Sequence, residues 1–116
     1  MKVIIAGGRD FGDYHKLVDV CGMLLVGPPG RYEVVSGGAR GADTLGARYA
    51  REYGCALTSF LADWAKHGKS AGYVRNDQMA KYADGLIAFW DGKSRGTRHM
   101  INLALDGGLW VHVSRY

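Results

Sequence analysis

Three glycine-rich turns that carry arginine each follow a short apolar run in this 116-residue chain. The first turn is Ala6-Gly7-Gly8-Arg9-Asp10, after Val3-Ile4-Ile5. The second is Ser36-Gly37-Gly38-Ala39-Arg40-Gly41-Ala42-Asp43, after Val34-Val35. The third is Asp91-Gly92-Lys93-Ser94-Arg95-Gly96-Thr97, after Leu86-Ile87-Ala88-Phe89-Trp90. A glycine turn between a strand and a helix brings backbone N–H groups close to an anion, and the helix dipole adds positive potential there. Three such turns with cations beside them suit a phosphorylated small molecule.

Other side chains could complete that chemistry. Arg75 and Asn76 share the inner face of a helical stretch with Gly72, Met79, Tyr82 and Ala83. An arginine there must find an anion, either a ligand or an internal carboxylate such as Asp10 or Asp43, or emerge at the sheet edge. Asp43 also suits the first turn of a helix on dipole grounds alone. Thr97 is placed to cap a helix or to bond a phosphate. Trp64, among Asp63, Lys66, His67 and Lys69, is placed to stack on a base or to pack on the rim of the domain. His99 reads as structural or exposed. The second turn is neither a complete G-x-G-x-x-G, since Ser36 replaces the first glycine, nor a P-loop. No Cys/His cluster has metal-ligand spacing and no G-x-S-x-G elbow exists, so no metal or cofactor is expected.

The elements that must position these residues alternate. Strands are predicted at 2–6, 32–36, 55–60, 85–90 and 109–113. Helices are predicted at about 13–26, 41–53, 70–83 and 96–106, from apolar residues at helical spacing. The second presents Ala42, Leu45, Gly46, Tyr49, Ala50 and Tyr53 inward. Residues 61–69 show no clear period and read as a loop. Alternating β and α elements imply one α/β domain over 1–116, a three-layer αβα sandwich around a mainly parallel sheet of about five strands. In such a sheet the glycine turns line up at the carboxyl edge.

Composition agrees with this reading. A hydrophobic fraction of 47% is enough for a core, and 18 glycines against two prolines fit tight turns. The net charge of +4 suits an anionic partner, nucleic acid included, but no lysine or arginine run marks a nucleic-acid tail. Cys21 and Cys55 fall at apolar positions and read as reduced core residues. The first apolar run is too short for a signal-peptide core and nothing approaches a membrane span, so a cytoplasmic protein without membrane contact is expected.

Taken together, Gly7-Gly8-Arg9-Asp10-Phe11, Val35 through Asp43, Ala62-Asp63-Trp64, Gly72-Tyr73-Val74-Arg75-Asn76 with Met79, and Ala88-Phe89-Trp90 through Gly96-Thr97-Arg98-His99 make a pattern. It resembles the compact YspA/YpsA-related branch of the SLOG superfamily, the Smf/DprA and LOG Rossmann-like domains. The resemblance implies a Rossmann-like fold, a nucleotide or nucleotide-derived ligand, bacterial or phage origin, and homo-oligomers.

LOG enzymes, similar in outline, hydrolyse the N-glycosidic bond of nucleoside 5′-monophosphates. They carry an arginine on the third helix and Pro-Gly-Gly-x-Gly-Thr-x-x-Glu after the fourth strand. Here Arg75 matches the arginine and Gly96-Thr97 match Gly-Thr. The glutamate position holds Met100, which can neither stabilise oxocarbenium character nor activate water.

The leading expectation is therefore a binding module, acting as sensor or sequestering domain. Its ligand-contacting residues are expected among Gly7, Gly8, Arg9, Ser36, Gly37, Gly38, Arg40, Gly41, Asp43, Trp64, Arg75, Asn76, Ser94, Gly96 and Thr97. Two alternatives stand beside it. One is a phosphoribohydrolase using Asp10 or Asp43 as its carboxylate. The other is a DprA-type module for single-stranded DNA.

Overall fold

The fold was analysed from a computed structural model that describes residues 1–116. Its five strands are β1 (Lys2–Gly7), β2 (Glu33–Ser36), β3 (Ala56–Ser59), β4 (Gly85–Trp90) and β5 (Trp110–Arg115). They form one sheet in the order β3-β2-β1-β4-β5, and every pairing is parallel. The helices are α1 (Tyr14–Leu24), α2 (Ala42–Tyr53), the single turn α3 (Trp64–His67), α4 (Ala71–Tyr82) and α5 (Arg95–Asp106).

The alternation of side chains along the central strands divides the core in two. Val3, Ile5, Val34, Ile87 and Phe89 face α1 and α2, where Leu17, Cys21, Tyr49 and Ala50 complete one cluster. Ile4, Ala6, Val35, Leu86 and Ala88 face α4 and α5, where Met79, Met100 and Ala104 complete the other. A strand buried on both faces must be apolar at successive positions, and Gly85–Phe89 is buried throughout. This is the expected α/β sandwich, a Rossmann-like arrangement. The chain walks from β1 to β2 and β3, then crosses to β4 on the other side of β1. The reversal opens a crevice between β1 and β4 at their carboxyl ends, where ligands bind in open α/β sheets.

Several sequence expectations need correction. Residues 61–69 are not all loop: α3 and a 3-10 turn at Gly68–Ser70 lie there. Asp63 nucleates α3 by accepting a hydrogen bond from the Lys66 N–H at 3.0 Å. One turn is too short to show a period. α1 stops at Leu24 rather than 26, and β5 runs on to Arg115. Tyr53 is 47% exposed rather than inward, because the last turn of α2 projects past the sheet; its ring stacks on Tyr49. Both cysteines are free thiols, Cys21 buried and Cys55 only partly so.

Candidate functional site

The three glycine turns meet at the carboxyl edge, as the parallel order requires. Gly41 joins the first two. Its φ of +78° suits glycine, and a Cβ there would lie 2.2 Å from the Gly8 carbonyl oxygen. The Ala42 N–H donates to that same oxygen at 3.2 Å. The turn after β1 thus rests on the amino end of α2.

A cleft of about 460 Å³ opens above this junction. Gly7, Gly8, Arg9 and Asp10 form its floor after β1, and Asp91, Ser94, Gly96 and Thr97 form one wall after β4. Trp64, Lys69, Gly72, Tyr73, Arg75, Asn76 and Met79 supply the opposite wall, with Asp43 and Met100 reaching in. Most of the expected contact residues therefore come together. Gly37, Gly38 and Arg40 instead line an adjoining depression of about 400 Å³ that shares Arg9, Ala39, Trp64 and Arg75 with the cleft. Gly41 lies in a shallow surface hollow with Arg40 and Thr44. Ser36 reaches none of these spaces. Its buried hydroxyl donates to the Asp43 carbonyl oxygen at 3.1 Å and accepts from the Gly38 N–H at 3.2 Å, so it shapes the turn.

Arg75 is held by neutral partners. Its Nη1 donates to the Gly37 carbonyl oxygen at 2.6 Å and its Nε to the Asn76 Oδ1 at 3.1 Å. Asn76 passes the connection on, donating from Nδ2 to the Gly96 carbonyl oxygen at 3.2 Å. A strut thus runs from the β2 turn through α4 to the amino end of α5. The ion pairs of the chain are His15–Asp19, Arg48–Glu52 and Lys81–Asp77, and none includes Arg75. The internal salt bridge to Asp10 or Asp43 does not form. Burial lowers the Arg75 pKa, Asp43 opposes that fall, and the Arg9 charge adds to it.

Asp43 is 4% exposed. Burial pushes its carboxyl up to about 6, against the downward pull of the Ala39 N–H, the Arg75 charge, the Gly7 N–H and the Arg9 charge. A side chain at Gly37 would lie 2.7 Å from Asp43 Oδ2 and 2.9 Å from Arg75 Nη1, so the bare backbone there lets both groups approach.

The amino end of α5 is capped by Ser94, not by Thr97. Ser94 Oγ accepts from the Thr97 N–H at 3.4 Å and lies 3.1 Å from Thr97 Oγ1. Asp91 Oδ1 accepts from the N–H groups of both Lys93 and Ser94 at 2.8 Å, which holds its carboxyl below the ordinary range. His99, whose pKa burial depresses, lies edge-on to Tyr73, with ring centroids 4.5 Å apart.

The expected contact set omitted Lys69, Tyr73 and Asp91, which line the cleft, and one residue that sequence reasoning did not consider at all. Tyr116, following β5, donates its hydroxyl to Asp10 Oδ1 at 2.5 Å and packs its ring 4.9 Å from that of Phe11. The hydroxyl fills the space beside Gly8, where a Cβ would lie 1.8 Å from it. Burial and the Asp10 and Asp91 charges raise the phenol pKa, so it stays a donor. Only the sheet order, with β5 next to β4, brings it there.

The family described as "YspA, cpYpsA-related SLOG family" matches residues 1–67. The chain is also 40% identical to the Gene 61 protein of Mycobacterium phage D29, over 95% of this chain and 93% of that protein. No solved structure matches. No helix is long and apolar enough to cross a membrane.

Proposed function

The chain belongs to the YspA, cpYpsA-related SLOG family, and from that premise we propose that its cleft binds a nucleotide or nucleotide-derived ligand as a sensing or sequestering module. One observation carries the reading. Arg75 lines the cleft, half-buried, its guanidinium fixed by neutral hydrogen-bond partners, and the nearby Asp43 charge does not offset the cost of its burial. A partly desolvated cation that no hydrogen-bonded carboxylate matches favours an anion beside it. A phosphate in the cleft would supply that match through charge-assisted, paired hydrogen bonds. Lys69, Arg9 and the amino end of α5 add positive potential on the same space.

A hydrolytic reading has one observation in its favour: Asp43, a buried carboxyl partly protonated near neutrality, faces the cleft. Against it, Met100 occupies the lining where a catalytic glutamate would be expected, and Asp43 already accepts from the Ala39 N–H. Binding without turnover is therefore the function put forward.

Calorimetry against nucleoside monophosphates, cyclic nucleotides and ADP-ribose derivatives tests it. Saturable binding of at least one member supports the reading. Absence of binding throughout, at high micromolar concentration, overturns it.

A further inference from the structure

The cleft is not uniformly basic. The sheet order places the ends of β2, β1, β4 and β5 side by side, with neighbours roughly 4.8 Å apart. At the β2 end stands Arg75, bonded to Gly37, with Arg9 near enough to shift its pKa. At the β1, β4 and β5 ends stand Asp10, Asp91 and Tyr116, with Arg9 beside Asp10 in the same turn. Arg75 and Asp10 line one cavity.

A carboxylate repels a phosphate and accepts from hydroxyl donors. Asp91 accepts from two backbone N–H groups through Oδ1, which ties it into the turn before α5. Asp10 accepts from Tyr116 through Oδ1 alone, and no protein donor reaches its Oδ2. Gly8 makes this arrangement possible, since any side chain there would displace the Tyr116 hydroxyl. A ligand end that is neutral and bears hydroxyls suits the exposed Asp10 carboxylate. The end near Arg75 must be anionic. Both residues line the same cleft of about 460 Å³, a volume that admits a phosphorylated sugar.

Resting on the nucleotide-binding reading above, we propose that Asp10, steadied by Tyr116, reads the free hydroxyls of a phosphorylated ribose whose phosphate lies on Arg75. The site is then selective for ribose over 2′-deoxyribose. Asp10 contacts the ligand, and Tyr116 is a positioning residue that acts through it. The shared chemistry has two sources, a ribonucleotide and a free ribose phosphate.

Calorimetry on the wild-type protein with AMP, GMP, CMP and UMP, their 2′-deoxy counterparts and ribose 5-phosphate tests this. A ribonucleotide is expected to bind at least about tenfold tighter than its deoxy counterpart, because a site built to bond a hydroxyl rejects the analogue lacking it. Asp10→Ala should abolish that ratio, and Tyr116→Phe should reduce it. A purely structural role for Tyr116 would lower both affinities together. Ribose 5-phosphate binding as tightly as the nucleotides also supports the assignment and identifies the source as a sugar phosphate. Equal affinity for ribo and deoxy forms in the wild type overturns it and leaves the nucleotide-binding reading standing. No binding by any of these compounds overturns it, and if cyclic nucleotides and ADP-ribose derivatives also fail, the broader reading falls with it.

Discussion

Arg75 Nη1 lies 2.6 Å from the carbonyl oxygen of Gly37, so the half-buried cation of the cleft is held by a neutral dipole and not by an acid. The bond fixes the direction of the guanidinium without cancelling its charge. Asp43 is near enough to influence both groups, yet it spends a hydrogen bond on the Ala39 N–H. The result is an oriented positive charge over a cavity.

Gly41 and Gly96 should respond oppositely to alanine. At Gly41 the φ is +78° and a Cβ would meet the Gly8 carbonyl oxygen. Gly41→Ala is expected to cost roughly 1–3 kcal/mol in backbone strain, with the clash in addition. Gly96 is the second residue of α5 with open space around it. Gly96→Ala should leave stability unchanged or raise it by up to about 1 kcal/mol. Chemical denaturation of both variants checks the pair; equal losses would contradict the packing described for the first two turns.

Asp43 makes stability pH-dependent. Its carboxyl sits at about 6 in the folded chain against an ordinary 3.8. The raised value means that the folded state binds more protons through this window. Its contribution therefore weakens as pH rises from about 4 to 6, by roughly 3 kcal/mol in all. Asp43→Asn removes that dependence. Urea denaturation near pH 4 and pH 7 should show a loss in the wild type that is smaller in the variant by about 2–3 kcal/mol. Identical changes in both proteins would refute the assignment.

Nucleoside 5′-monophosphates incubated with the protein should be recovered intact. Chromatography for free base is expected to give no more release than an Arg75→Ala control. Release above that control would reinstate hydrolysis and point to Asp43 or Asp10 as its carboxylate.

Much of this was legible in the residues. Apolar runs separated by glycine turns specify parallel βαβ units, and the helical spacing of Met79 and Arg75 puts the arginine on the sheet side of α4. What escaped is short or long-range. α3 is a single turn whose only signal is the Asp63 cap. Thr97 was a reasonable cap for α5, but the Asp91 turn delivers Ser94 to that position instead. Tyr116 lies 106 residues from Asp10 along the chain, and only the strand order brings their side chains together.

The role of Arg75 is tested most directly by measuring Arg75→Ala and Arg75→Lys against the tightest-binding nucleotide of the panel, with thermal melts of each variant alone and with ligand. The account predicts that Arg75→Ala stays folded, melts near the wild-type temperature without ligand, and binds at least tenfold more weakly, about 1.4 kcal/mol. Arg75→Lys should recover part of that loss, because lysine offers a point charge in place of paired bonds. A large fall in the ligand-free melting temperature, with unchanged affinity in the fraction that remains folded, would contradict it.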